Sequence, residues 1–179
     1  GSIWFPKHYM LIVSDLHFGK ILALADQGIQ MPEDFDDQLF QKLNQDIVLY
    51  NPKKLLILGD LTHEKSKRLP DLMAKIQHFF DKRVDTVMIT VGNHDEKHLF
   101  PEHWHVEPSF LIEGIHFCHD PLFDKPCIAG HLHAGMQVRQ GKINKKYRAF
   151  VIKDQTLLCP AYGVHTGIMP IKTGVDRAY

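Results

Sequence analysis

Apolar positions along the chain follow two different rhythms. In the first half, short runs that are apolar throughout alternate with longer segments spaced like one face of a helix. Tyr9-Met10-Leu11-Ile12-Val13 and Leu55-Leu56-Ile57-Leu58 have the length and continuity of buried strands, and residues 84–91 read as a third strand. Between them, Phe35, Leu39, Leu43, Ile47 and Val48 predict a helix over residues 33–49, with Pro32 near its entry and Asn51-Pro52 as its stop. Leu72, Ile76, Phe79 and Phe80 predict a second helix from Pro70 to Arg83. Strand, helix, strand, helix, strand is the signature of a parallel sheet covered by helices. Each strand leads into a polar loop carrying a carboxylate or an amide. Ligands of open α/β sheets bind beyond the carboxyl ends of the strands.

The second half changes rhythm. Ser109–Ile112, Glu113-Gly114 and Ile115–Cys118 read as a hairpin. Short strands are expected near Cys127–Ala129, Met136–Arg139, Tyr147–Lys153 and Thr156–Cys159, with turns at Gly141 and Asp154-Gln155. No segment there has helical periodicity, which predicts a second, mostly antiparallel sheet packed on the first. No linker, repeat or charge block interrupts the pattern. At 179 residues the chain is expected to form one α/β domain over residues 3–179, with Gly1-Ser2 read as a cloning scar.

Composition narrows the class. Hydrophobic residues make up 44% and charged residues 23%, which excludes disordered, collagen-like and low-complexity chains. No apolar run exceeds five residues, whereas a membrane span needs about 20. The start of the chain lacks the basic-then-apolar pattern of a signal peptide. The 21 basic and 21 acidic residues cancel, which argues against gripping nucleic acid by bulk charge but leaves room for a local patch. Cys118, Cys127 and Cys159 are too few, and odd in number, for a disulfide framework; reduced thiols in a cytoplasmic protein are expected. Histidine is the outlier, with thirteen residues and no two adjacent.

Where the histidines fall points to a chemistry. Five fragments stand out: Asp15-Leu16-His17, Gly59-Asp60, Gly92-Asn93-His94-Asp95, His119-Asp120 and Gly130-His131-Leu132-His133. Each follows a predicted strand or turn. Each offers oxygen or imidazole nitrogen and no thiolate, a donor set suited to Mn²⁺, Fe or Zn²⁺. A carboxylate such as Asp60 could bridge two ions through its two oxygens. His131 and His133, two apart in an extended segment, would point to one side and could each take a different ion. Any one fragment alone is an ordinary turn or a polar strand face. Their joint occurrence, at the ends of successive strands, is what indicates a metal centre.

Asp15-x-His17, Gly59-Asp60, Gly92-Asn93-His94-Asp95, a single His119 and Gly130-His131-x-His133 together resemble the complete motif series of the calcineurin-like metallophosphoesterases. The resemblance implies two packed mixed β-sheets flanked by helices, in a four-layer α/β/β/α sandwich. It implies two divalent metal ions, with Mn²⁺ first and Fe or Zn²⁺ as alternatives. Asp15, His17, Asp60 and His133 would bind one ion, and Asp60, Asn93, His119 and His131 the other. A metal-bridging hydroxide would attack the phosphodiester. His94 would contact the phosphate and protonate the leaving group, oriented by Asp95 or a nearby acid.

A narrower likeness rests on Ser14-Asp15-Leu16-His17-Phe18-Gly19-Lys20, His119-Asp120-Pro121 and Pro160-Ala161-Tyr162-Gly163 with Thr166-Gly167. These resemble the bacterial DNA-ligase-associated phosphoesterases. That implies a DNA-repair nuclease acting on single-stranded or damaged DNA, with a DNA ligase and a helicase as partners. The alternatives are a small-molecule phosphodiesterase acting on a nucleotide or phospholipid-type substrate, and a metal-bound docking module.

Other residues are candidates for supporting roles. His63, three residues after Asp60, could reach the phosphate or a ligand. His165, beside the Tyr162-Gly163 turn, could approach the same cleft. Arg139, Lys142, Lys145, Lys146 and Arg148 form a basic stretch without an acid, either a solvated hairpin face or a phosphate contact. Lys65, Lys67 and Arg68 form a shorter one. His8, His78, His98, His103, His105 and His116 are expected to lie outside the site, and His103-Trp104-His105 is expected to be a packed aromatic strand. The three cysteines are expected to be buried thiols.

Overall fold

The computed structural model describes residues 1–26, 28–29, 35–63, 66, 68–141, 143–171 and 177–179. Its first sheet has five strands in sequential order: β1 (Ile3–Phe5), β2 (Met10–Val13), β3 (Lys54–Leu58), β4 (Thr86–Thr90) and β5 (His105–Glu107). β2 to β5 are parallel, as the alternation of strands and helices requires, and β1 is an antiparallel edge. Three helices, α1 (Lys20–Asp26), α2 (Phe35–Tyr50) and α3 (Leu69–Asp81), make the connections. Neither β1 nor α1 is foreseen by the apolar pattern. Pro32 and residues 33–34 of the expected helix lie outside the described residues.

The continuous apolar runs of β2 and β3 split by the two-residue period of a strand. Leu11, Val13, Leu55 and Ile57 face the helices and pack with Leu39, Leu43, Ile76, Phe80 and Trp104. Met10, Ile12, Leu56 and Leu58 face the other way and pack with Phe117 and Cys159 of the second sheet. A strand between two layers needs apolar groups on both faces, so the runs show no alternation.

The second sheet contains six strands in the order β14-β11-β12-β8-β7-β6: β6 (Ser109–Ile112), β7 (Ile115–Cys118), β8 (Cys127–Ala129), β11 (Val151–Lys153), β12 (Thr156–Leu158) and β14 (Arg177–Ala178). Its outer pairings are antiparallel, but β7, β8 and β12 at its centre run parallel. The expected strand over Tyr147–Lys153 is in fact two. β10 (Ile143–Arg148) pairs with β9 (Ala134–Gln140), and with β13 (Met169–Pro170) they form a separate three-stranded sheet.

This is a mixed α/β fold of packed sheets. Its helical cover is one-sided: all three helices contribute to the cluster on the far face of the first sheet, and no α-helix follows α3 among the described residues. On its other face the first sheet packs against the second through Met10, Ile12, Leu56 and Leu58, giving the packed mixed sheets flanked by helices that the sequence implies. Residues 103–104 likewise form a turn, not a strand, though Trp104 is packed as expected, with Nε1 donating to Asp81 Oδ1 at 3.1 Å.

Candidate metal centre

The parallel strands β2, β3 and β4 of one sheet and β7 and β8 of the other deliver their carboxyl ends to the same place. Asp15 Oδ1 accepts the backbone N–H of His131 at 3.0 Å, across 116 residues of chain. The loops after β2 and β3 run on as a ladder, with Asp15 N to Gly59 O at 3.2 Å, His17 N to Asp60 O at 2.9 Å and Phe18 N to Leu61 O at 2.9 Å. These bonds fix the two carboxylates relative to each other before any ion is considered.

Two groups of ligand atoms result. One from each of Asp15, His17, Asp60 and His133 lie within 4.8 Å of one another. His119, Asp120 and His131 form a second group on the same criterion. His119 Nδ1 donates to the Leu58 carbonyl at 3.1 Å, so its Nε2 lone pair faces inward. That nitrogen lies 3.1 Å from Asn93 Oδ1 and 3.0 Å from His131 Nδ1. Asp60 stands between the groups. Its Oδ2 is 3.7 Å from His17 Nε2, and its Oδ1 is 3.6 Å from His119 Nε2.

The donor set fits divalent cations. Asp15 and Asp60 are only 0% and 2% exposed, and the cationic partners they find among the described residues are histidines. Buried carboxylates need compensating positive charge. His17 cannot supply it: burial, followed by the nearby His133, His63 and His94, pushes its pKa down to about 2. A neutral imidazole 3.0 Å from His133 Nε2 is a lone pair waiting for a cation.

The backbone is bent hard to achieve this. Asp15, His17, Asp60, His131 and His133 all have φ between 48° and 64°, the left-handed region that side chains with a Cβ seldom occupy. His131 and His133 therefore do not lie in an extended segment. They do reach different groups, but through successive left-handed turns, not through strand alternation. Glycines make the close approaches tolerable. A Cβ on Gly92 would collide with the Asp60 carboxylate and backbone nitrogen, and one on Gly59, at φ +72°, with the His119 ring. A Cβ on Gly130 would stand 2.7 Å from Asp15 Oδ2.

The remaining candidates separate clearly. His94 lies beside the centre: its ring centroid is 5.4 Å from that of His17, and its backbone N–H donates to Asp60 Oδ1 at 3.0 Å. His63 joins the same cluster, 3.3 Å from His17 between Nδ1 atoms and stacked on His94. Asp95 does not orient the His94 ring. Its carboxylate accepts the backbone N–H groups of Gly92 at 2.9 Å and Thr62 at 3.2 Å, pinning one loop to the other, and burial raises its pKa. Arg148 is likewise turned inward: its Nη2 donates to the carbonyls of Gly163 and Val164 at 2.7 and 2.8 Å and to Thr166 Oγ1 at 3.0 Å. Arg139, Lys145 and Lys146 of the same stretch are exposed, whereas Lys65, Lys67 and Lys142 lie outside the described residues. His165 packs against Phe35. His8, His98 and His103 pair with Glu113, Glu96 and Asp81 away from the centre. His78 lies on α3, His105 on β5 and His116 on β7. All three cysteines are free and buried, with Cys118 and Cys127 sulfurs 3.1 Å apart.

Some supporting roles escape the sequence reading, although the residues stand in fragments it singles out. Asp120, exposed, lies 3.8 Å from His131. Tyr162, fully buried, donates its N–H to Ser14 O at 2.8 Å and its hydroxyl to Asp46 Oδ2 at 3.0 Å, and Lys42 donates to its carbonyl. Pro160-Ala161-Tyr162-Gly163 is thus the clamp on the Asp15 loop. Its sequence carries only a turn signal, because the partners are more than 100 residues away.

Residues 9–159 match the family model of the calcineurin-like phosphoesterases. No curated protein sequence matches the chain. Among solved structures, the nuclease MPE of Pseudomonas putida is similar at 27% identity, with 99% of this chain and 87% of that chain covered and a TM-score of 0.77. The phosphoesterase YfcE of E. coli is more distant, at 14% identity over 88% of this chain and 82% of that one, with a TM-score of 0.45. With the family model spanning most of the sequence and its motifs gathered at one buried centre, the chain belongs to the calcineurin-like phosphoesterase family, a class of metal-dependent hydrolases.

Proposed function

We propose that this protein is a dinuclear phosphodiesterase that acts on nucleic acid as a nuclease. The observation that carries the two-ion reading is the Asp60 carboxylate, one oxygen toward His17 and the other toward His119. Asp15, His17, Asp60 and His133 would hold one ion; Asp60, Asn93, His119 and His131 would hold the other. The ions, when bound, supply a water of lowered pKa and positive charge for the non-bridging phosphate oxygens. His94, half-exposed beside the centre, gives its proton to the leaving oxygen. Asp95 positions the His94 loop through Thr62 and Gly92. Asp60 serves the same loop by accepting the His94 backbone N–H.

The nucleic-acid substrate is supported by the likeness to a nuclease over 99% of the chain. Mn²⁺ is the preferred ion on the mixed oxygen and nitrogen donors. A role in DNA repair, with a DNA ligase and a helicase as partners, rests on the sequence resemblance alone. Among the described residues no helix is long and apolar enough to cross a membrane. The three free cysteines support a cytoplasmic setting.

The test is hydrolysis by metal-stripped protein before and after Mn²⁺ addition, on bis-p-nitrophenyl phosphate, p-nitrophenyl phosphate and labelled single-stranded DNA. Mn²⁺-dependent cleavage of the diester and the DNA is expected. Asp60→Asn should lose bound Mn²⁺, and His94→Ala should keep it while losing at least 100-fold in kcat. Cleavage of the small diester with intact DNA would replace the nuclease by a small-molecule phosphodiesterase. Two bound ions with no turnover would replace the enzyme by a docking module.

A further inference from the structure

Between α1, the first turn of α2 and the loop at residues 163–166 lies a cavity of about 180 Å³. Its wall is mostly apolar, formed by Leu16, Ile21, Leu24, Phe35, Leu39 and Val164. Lys20 and Asp36 also line it, and so does His17. His17 therefore belongs both to the metal-ligand group and to the cavity.

We propose that this cavity receives one nucleobase of the strand whose phosphodiester lies on the metal centre, an inference that rests on the phosphodiesterase reading above. Four features select that occupant. The volume falls below the roughly 300–1,000 Å³ of sites for drug-sized ligands, so it suits a single ring system and not a long acyl chain. The apolar wall, with the Phe35 and His165 rings in contact at one side, accepts the flat faces of a base, as aromatic platforms do in single-strand binding. The polar groups come as a pair. The Lys20 ammonium donates to the His165 carbonyl at 2.9 Å, and the Asp36 carboxylate accepts the Gly19 N–H at 3.0 Å. A donor and an acceptor at the edge of an apolar slot match the edge of a base, whereas a hydrocarbon chain has use for neither. Finally, the cavity and the candidate metal site share His17, so a base in the slot lies next to the phosphate site.

The walls are held. Arg148 ties the carbonyls of Gly163 and Val164 together, and Gly163 N donates to Asp15 O at 3.1 Å. The slot is thus fixed to the same loop that carries the metal ligand, so reading the base also places the phosphorus. Substrate binding at a rigid, preformed site orients the reacting bond without a further conformational change.

The test compares two diesters with the same leaving group, the p-nitrophenyl ester of thymidine 5′-monophosphate and methyl p-nitrophenyl phosphate, on the Mn²⁺-loaded protein. A second readout, free of catalysis, is calorimetric binding of thymidine and adenosine to the metal-free protein. The nucleotide ester should be preferred at least tenfold, through KM, and both nucleosides should bind saturably. Leu24→Trp, which fills the slot, should bring the two esters to near parity and weaken nucleoside binding at least tenfold. If that variant fails to fold, Phe35→Ala, which removes an aromatic wall, should shift both readouts in the same direction. Near parity in the unmodified protein, with both esters hydrolysed, would overturn the base slot and leave the phosphodiesterase standing. So would a preference that survives in folded Leu24→Trp, or a stronger preference for an octyl p-nitrophenyl diester. Absence of turnover on every ester would remove the phosphodiesterase reading and this inference with it.

Discussion

At the scale of single residues, the centre depends on backbone conformations that side chains normally avoid. Asp15, His17, Asp60, His131 and His133 each turn through the left-handed region so that five candidate ligand side chains from three loops meet. The ionisation of His17 follows from its burial there, with His133, His63 and His94 adding to it, and its pKa falls from 6.5 to about 2. The unfolded chain takes up a proton at His17 near pH 6.5, and the folded metal-free chain does not until near pH 2. Stability contributed by this site is thus present above about pH 6.5 and is lost as pH falls below it. Urea midpoints of the metal-free protein should drop between pH 7.5 and pH 5.5, and His17→Gln should flatten that drop. An unchanged slope in the variant would place the pH dependence elsewhere.

At the scale of elements, the loop after β2 is held by a distant segment as well as by its ladder to the loop after β3. Tyr162 bonds Ser14 through its backbone and Asp46 of α2 through its hydroxyl, while the Lys42 ammonium sits 3.8 Å above its ring. Burial, with the Asp46 carboxylate beside it, raises the Tyr162 pKa, so the phenol stays a donor. Tyr162→Phe removes one buried hydrogen bond to a carboxylate and keeps the ring. A loss of roughly 1.5–3 kcal/mol in urea unfolding is expected, with raised KM for Mn²⁺-dependent hydrolysis. Full stability in Tyr162→Phe would show that the clamp works through its backbone bonds alone. The same scale exposes the misread elements. α1 is seven residues with an apolar run, Ile21 to Ala25, too short for a periodicity to register. β1 is a three-residue edge that exists only because β2 offers it an open side. The break at Ala149-Phe150 moves the chain from the β9–β10 sheet to the six-stranded one, and apolar continuity hides such a crossing.

At the scale of the whole molecule, the proposed nuclease reading asks a chain with zero net charge to hold an anionic polymer through a local patch. The β9–β10 hairpin begins one residue after His133 and exposes Arg139, Lys145 and Lys146. If the proposed nuclease reading holds, single-stranded DNA binding should be salt-dependent with a shallow slope, set by a few phosphates at about −0.7 per contact. Converting Lys145 and Lys146 together to Ala should reduce that slope by up to about 1.4 and weaken binding similarly for all sequences. A slope that does not change would confine the DNA contacts to the metal centre and its cavity.

Much of this protein is legible in its sequence. The runs at residues 9–13 and 55–58 read as buried strands, and every position but Tyr9, exposed just before β2, finds an apolar layer on one face or the other. The order of motifs, all at strand ends, placed Asp15, Asp60, Asn93, His119, His131 and His133 at one edge of the fold. What the order could not carry was how the ligands meet. Left-handed turns at His131 and His133, Asp95 spent on backbone N–H groups and Arg148 folded under the 163–166 loop all depend on partners remote in sequence. The pairing of Tyr162 with Ser14 and Asp46, and the slot between α1, α2 and that loop, have the same origin. Periodicity is a local property and survives in the sequence. The placement of two carboxylates and four imidazoles within touching distance is a property of packing, and only the tertiary structure decides it.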